Sequence, residues 1–185
     1  MLKHSDLKPR VKFILDGEPW EVIDSTFIFK GRGSSTVQAK IKNLINNKVV
    51  TKTFHQNDEF EEAEIEREKI KFLYSKNKKY YFQLDDENFE IDENALGIKA
   101  FFIKKGEDVQ GILFENKLIG IELPLKMTFK VISAPPGLRG GREQPGTKPV
   151  TIETGATVNV PLFVKEGDII EIKTENGEYV RRITS

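Results

Sequence analysis

The sequence predicts an all-β protein built from three small blocks of strands, and three observations lead there. Apolar residues alternate with polar ones over most of the chain, the two-residue period of a strand with one buried face. Turn-forming pairs such as Asp16-Gly17, Asn46-Asn47 and Glu115-Asn116 punctuate the strands at intervals of roughly ten residues, the spacing of small barrels and sandwiches. An acidic run from Asp58 to Glu64, and later Pro124, mark breaks that leave blocks of about 60 residues, a size at which domains can fold alone.

In the first block, Lys12 to Leu15 and Pro19 to Ile23 read as strands joined by Asp16-Gly17, a pair suited to a tight hairpin turn. Phe27-Ile28-Phe29 ends an aromatic strand, and a returning strand begins at Thr36. On it Val37, Ala39 and Ile41 form one face, while Gln38, Lys40 and Lys42 form the other. Asn46-Asn47 turns the chain into Val49 to Phe54. The second block has strands at Ile70 to Tyr74, Lys79 to Leu84, Val109 to Phe114 and Lys117 to Leu123, with turns at Ser75 to Lys78, Asp85 to Asn88 and Glu115-Asn116. The third begins at Thr128, runs through Phe129, Val131 and Ile132, and is interrupted by a turn-rich loop from Pro135 to Pro149. Strands follow at Val150 to Glu153, Ala156 to Val160, Asp168 to Thr174 and Tyr179 to Ile183. Only Phe60 to Lys71 and Glu93 to Ile98 offer a helical pattern. The first fits either period, and its charge density reads best as a solvated linker.

Composition excludes much chemistry. The 185 residues hold no cysteine and two histidines, His4 and His55, far apart in sequence. Disulfides, thiolate nucleophiles and cysteine-based zinc sites are excluded, and a histidine-rich metal site is disfavoured. No apolar run approaches membrane-spanning length, and the stretch from Met1 to Arg10 lacks the apolar centre of a signal peptide, so a cytoplasmic protein is expected. Neither histidine has a serine, cysteine or carboxylate at a spacing that suggests a triad, and the acids at Asp85-Asp86-Glu87 fall where a solvated hairpin turn is expected. No enzymatic constellation emerges. Lysine plus arginine and aspartate plus glutamate number 29 each, and the resulting neutrality argues at face value against nucleic acid. Residues 1–57, however, carry ten basic and five acidic groups, and 58–64 carry five acids with no base. The positive field is thus concentrated in the first block, and local field matters more to a phosphate than the total does.

Two segments look suited to RNA. Lys30-Gly31-Arg32-Gly33-Ser34-Ser35 lies at a hairpin tip, where glycine on each side of Arg32 leaves the guanidinium fork unobstructed for phosphate or a base edge. It is no P-loop, since no Gly-Lys-Ser/Thr and no helix follow. The Pro135–Pro149 loop carries Arg139, Arg142 and Lys148 against Glu143 alone, a basic composition that can track a nucleic-acid backbone. From residues alone, a generic RNA-binding module of small barrels is one reading.

The stretch from Gly146 to Val164, with Thr151-Ile152-Glu153-Thr154-Gly155-Ala156-Thr157 at its centre, resembles the signature of the bacterial translation elongation factor P family. Its continuation through Gly167-Asp168 and Thr174 to Arg182 fits the same signature. Leu15 to Trp20, the hairpin end Lys40 to Leu44 and Glu122-Leu123-Pro124 are similar as well, so the resemblance covers essentially the whole chain. It implies an L-shaped arrangement of an SH3-like barrel (1–64) and two OB-like barrels (65–127 and 128–185). It also implies a factor that binds the ribosome between the peptidyl-tRNA and exit sites and promotes joining of consecutive prolines. The implied partners are the ribosome, its rRNA and peptidyl-tRNA, with no cofactor or metal, no membrane, and a monomeric state. The tip, Lys30, Gly31, Arg32 and Gly33, would contact the CCA end. Arg32 resembles the arginine-bearing branch, in which a dedicated glycosyltransferase adds rhamnose, although Lys30 stands where the lysine-type tip has proline. Lys40, Lys42, Arg139, Arg142, Tyr179 and Arg182 are the further RNA-contact candidates that the resemblance implies.

Overall fold

The computed structural model describes residues 1–30, 34–136 and 146–183, with the side chains of Lys30 and Ser34 outside that description. Strands dominate. The first block contains β1 (Leu2–Lys3), a single 3-10 turn (His4–Asp6), β2 (Lys12–Leu15), β3 (Glu18–Lys30), β4 (Ser34–Asn43), β5 (Val49–His55) and β6 (Glu59–Phe60). The second contains β7 (Glu66–Lys76), β8 (Lys79–Leu84), β9 (Glu87–Asp92), α1 (Glu93–Leu96), a 3-10 segment (Gly97–Phe102), β10 (Asp108–Phe114) and β11 (Lys117–Glu122). The third contains β12 (Lys126–Ser133), β13 (Thr147–Ile152), β14 (Thr157–Pro161), β15 (Ile169–Lys173) and β16 (Tyr179–Ile183).

Turn chemistry fixes the hairpins. Asp16 and Gly17 both take left-handed angles (φ 56° and 79°), as do Asn77 and Lys78 and the pair Glu115 and Asn116. Two consecutive left-handed residues match the twist of the flanking strands, which is why such tight loops close hairpins. Asn43 stabilises the next connection. Its buried side-chain oxygen accepts from the backbone N–H groups of Ile45 (2.8 Å) and Asn46 (3.0 Å), while its amide donates to Glu18 (2.6 Å).

β2, β3, β4 and β5 form a sheet in that order around Leu7, Phe13, Val22, Val37, Ala39, Ile41 and Phe54. Phe13 is fully buried and meets Phe54 and Phe60 edge-on at 5.8 and 5.1 Å, an arrangement aromatic rings favour. The second and third sheets share one topology. Their orders are β11-β10-β7-β8-β9 and β14-β13-β12-β15-β16, so in each the first strand pairs with both the second and the fourth. In each, the third and fifth strands also approach one another, β9 with β11 and β14 with β16. This is the curled five-stranded Greek-key arrangement of an OB-like barrel.

The acidic segment departs from its expected form. Phe60 to Lys71 is neither helix nor solvated linker. The Glu61 carbonyl accepts from the Ile14 N–H (2.9 Å), Ala63 N–H donates to Lys12 (3.1 Å), and Glu62 bridges Phe13. Its side-chain charges face solvent while the backbone completes the open edge of β2 and Ala63 is buried. The second helical candidate is real but short, because Gly97 adopts φ 59° and ends α1 after one turn.

The blocks share apolar surface. Ala63, Phe114 and Ile119 are buried together with flanking Ile14, Leu44, Ile45, Ile65 and Ile112, joining the first block to the second. Phe102, from the second block, sits inside the third block's cluster beside Phe129 (5.8 Å between ring centres). Thr154 donates to the Phe101 carbonyl (2.7 Å), and Thr174 donates to that of Pro124 (2.6 Å). Phe102→Ala should therefore destabilise the protein by about 3–5 kcal/mol, the usual effect of deleting a buried ring. Urea unfolding checks this, and an unchanged midpoint would show that the third cluster stands without Phe102.

Candidate nucleic-acid interface

The feature that projects from the first sheet is the β3–β4 ribbon. Its register runs without interruption from Asp24 opposite Lys40 to Lys30 opposite Ser34, beyond a bulge at Ile23. The connecting residues Gly31, Arg32 and Gly33 lie outside the described residues, as do Arg139 and Arg142. The β3 side of the ribbon becomes exposed toward the tip. Phe27 shares a face with buried Val37, yet it is 41% exposed, and Phe29, one pair further out, is 82% exposed. Their rings lie 4.8 Å apart. Such a pair on a ribbon beside basic residues is the type of surface on which unpaired bases stack.

His4 holds the ribbon from behind. The turn carrying it is capped by the Lys3 N–H donating to Asp6 (2.9 Å). The buried ring packs against Phe27 (5.8 Å), and Nε2 lies 2.9 Å from the Ser35 hydroxyl. Sequence spacing gives no hint of this pair, because 31 residues separate its members. The contact is structural rather than nucleophilic: Nδ1 is buried without a partner among the described residues, so no carboxylate orients the ring as a base. His55 ends β5, where its backbone N–H donates to Asp58 (2.7 Å). Among the described residues, no group of three or more His, Cys, Asp or Glu could hold a metal ion, and no helix is long and apolar enough to cross a membrane.

The remaining sequence candidates fall into different surroundings. Lys40 is exposed with Asp24 opposite it, while Lys42 is half-buried with Glu21 opposite. The basic face of β4 is thus moderated by acids on β3, a pairing that β4's own alternation does not reveal. Lys42 also faces the junction with the second block. There the Lys99 ammonium donates to the Ile121 carbonyl (2.9 Å), and burial pushes its pKa down, with Lys42 adding to the shift and Glu122 opposing it. Arg182 lies 3.6 Å from Asp168 and stacks over Phe163 (5.5 Å). Tyr179 packs against the third cluster and lines a cleft of about 970 Å³ between the 98–102 segment and the third sheet. Lys148, counted with the basic loop in the sequence, belongs to β13. Its ammonium is buried and donates to the Pro135 carbonyl (3.0 Å), which ties the loop's stem and removes that charge from the surface.

His4→Leu removes the Ser35 bond while keeping an apolar body under Phe27. The fold should persist, and backbone hydrogen exchange at 26–29 and 35–37 should quicken relative to the rest of β3 and β4. Unchanged protection there would mean that the ribbon holds itself.

Comparison with known proteins agrees with this architecture. A family model described as the KOW-like domain of elongation factor P matches residues 3–60, and one described as the C-terminal domain of elongation factor P matches 127–182. Elongation factor P of Desulfotalea psychrophila is 37% identical over 186 residues, covering 99% of each chain. That of Acetivibrio thermocellus is also 37% identical, covering 99% of this chain and all of its own. Among solved structures, a protein titled eukaryotic translation initiation factor 5A, from Methanococcus jannaschii, superposes with a TM-score of 0.52 at 17% identity, over 65% of this chain and 90% of its own, a likeness of fold. Matches of this identity along the full length show that the chain belongs to the elongation factor P family: it is a translation elongation factor, and not an enzyme.

Proposed function

We propose that the protein binds the ribosome between the peptidyl-tRNA and exit sites and stimulates peptide-bond formation at consecutive prolines. In this reading the three units span 1–64, 65–127 and 128–185, and a monomer acts in the cytoplasm. The first unit presents the β3–β4 ribbon to the peptidyl-tRNA acceptor end, and Arg32 contacts the CCA terminus. Lys30, Gly31 and Gly33 shape the tip, and Lys40 and Lys42 lie along the returning strand. The third unit faces RNA through Arg139, Arg142 and the Tyr179–Arg182 strand. The observation that supports this most is the ribbon itself. It extends past its own core with two exposed aromatic rings, is braced by His4 through Phe27 and Ser35, and leads in sequence to an arginine flanked by glycines.

The chemistry follows from proline. Its ring fixes φ and restricts the residue before it, so proline reacts slowly as part of either substrate. A factor that holds the peptidyl-tRNA end in reactive alignment lowers the barrier without supplying acid or base. Ordering of reactants is worth roughly 7–11 kcal/mol in well-aligned model reactions. Peptidyl transfer belongs to the ribosome, and this chain positions one reactant.

Arg32→Ala should abolish rescue of polyproline synthesis in a reconstituted translation system while leaving the thermal midpoint unchanged and ribosome co-sedimentation largely intact. Undiminished rescue would remove Arg32 from the tip assignment. In the arginine-bearing branch reading, a glycosyltransferase extends Arg32 with rhamnose. Intact-mass and peptide mass spectrometry of natively purified protein should then show one deoxyhexose on the peptide containing Arg32. An unmodified peptide in active protein would sink that part of the reading.

A further inference from the structure

A second surface, well away in sequence from the ribbon, carries the same combination of cations and aromatic rings. β7 and β8 are joined by Asn77-Lys78, and the register places Tyr74 opposite Tyr81 and Lys76 opposite Lys79. Buried Tyr80 points to the core, so these two pairs occupy the outer face. The tyrosine rings are stacked, 4.7 Å apart at 24°, and Tyr74 is 48% exposed.

Folding alone does not explain the residues at this turn. Like charges directly opposite on a ladder repel, as Lys76 and Lys79 must. Lys78 occupies a left-handed position (φ 60°) where glycine or asparagine is the natural choice. The backbone is nevertheless held firmly, since the Lys78 carbonyl accepts from the Glu93 N–H (2.8 Å). Acids nearby account for only one of the three lysines. Lys79 donates to Glu90 (2.6 Å) and has Asp92 as its ladder neighbour, whereas Lys76 and Lys78 form no ion pair among the described residues.

The position in the barrel matters as well. This turn joins the first and second strands of the second OB-like unit, and that connection borders the face on which OB barrels take oligonucleotides. In the third unit the equivalent connection, between β12 and β13, carries Arg139 and Arg142 in sequence.

We propose that the β7–β8 turn is an RNA-binding patch distinct from the β3–β4 ribbon. It takes an unpaired RNA strand, with phosphates on Lys76 and Lys78 and a base against the exposed face of Tyr74. Stacking on an aromatic ring tolerates any base, so the patch grips RNA without reading sequence. Membership of a translation factor family favours RNA over DNA, and the patch requires nothing of Arg32.

The test is fluorescence anisotropy of the full-length protein with a fluorescein-labelled, mixed-sequence single-stranded RNA of about 12 nucleotides, within the range one barrel covers. The Lys76→Gln/Lys78→Gly double variant should keep or raise the thermal midpoint, because it relieves both the repulsion and the strained turn. Its affinity should nonetheless fall. With two phosphates no longer neutralised, the dependence of log affinity on log salt becomes shallower by about 1.4, so the loss is about sevenfold larger at 50 mM than at 200 mM salt. Tyr74→Leu should weaken binding by about tenfold with the salt slope unchanged. Both effects should recur in an Arg32→Ala background. Losses confined to the background with Arg32 intact would mean that the ribbon holds the RNA, and would overturn the proposal. So would titrations unchanged by either variant, including the case in which the variants weaken ribosome co-sedimentation alone, which would mark the turn as a protein-docking surface.

Discussion

The architecture depends on apolar contact shared between adjacent units. A block of about 60 residues buries too little of its own surface to be more than marginally stable. Here each block lends side chains to its neighbour. Phe102 leaves the second barrel's helical segment and completes the core of the third, while Ala63, Phe114 and Ile119 form a cluster owned equally by the first and second. Hydrogen bonds reinforce both seams, from Asn47 to the Ala95 carbonyl (3.0 Å) at one and from Thr154 and Thr174 at the other. The ribbon can extend beyond its own core because its base belongs to this larger continuous body.

Electrostatics follows the same division between local and total. The chain is neutral as a whole, which disfavours indiscriminate attraction to polyanions. Within the fold, some cations are paired with acids, Arg182 with Asp168 and Lys79 with Glu90 among them, while Lys40 and Lys42 have Asp24 and Glu21 opposite them on the ladder. Lys76 and Lys78, at the β7–β8 turn, are cations that form no ion pair among the described residues.

The strand pattern is legible because alternation and turn pairs are local signals. Val37-Gln38-Ala39-Lys40-Ile41 announces a half-buried strand, and Asp16-Gly17 announces its hairpin, with no knowledge of the partner. What escapes is non-local. The Asp58–Glu64 run looks like linker because its side chains are charged, yet its backbone completes a sheet edge, and backbone pairing carries no compositional signature. His4 and Ser35 meet across 31 residues, and Lys148 turns from an apparent surface cation into a buried tether, both through tertiary placement. Of the RNA-facing candidates, the tip and the Pro135–Pro149 loop are visible as glycine-rich, basic segments. Tyr74 and Tyr81 are not, since an aromatic in a strand reads as core until the register shows which face it occupies.

The buried Lys148 tether has a consequence for how this protein can vary. Its ammonium bonds the Pro135 carbonyl across the base of the long connection, so both ends of the segment between Ser133 and Thr147 are pinned by atoms of the stem. Loops tolerate changes of length and composition when the backbone flanking them is independently secured. The segment carrying Arg139 and Arg142 is thereby an exchangeable cassette. Lineages, or an engineer, can rewrite its contents while the barrel beneath keeps its register.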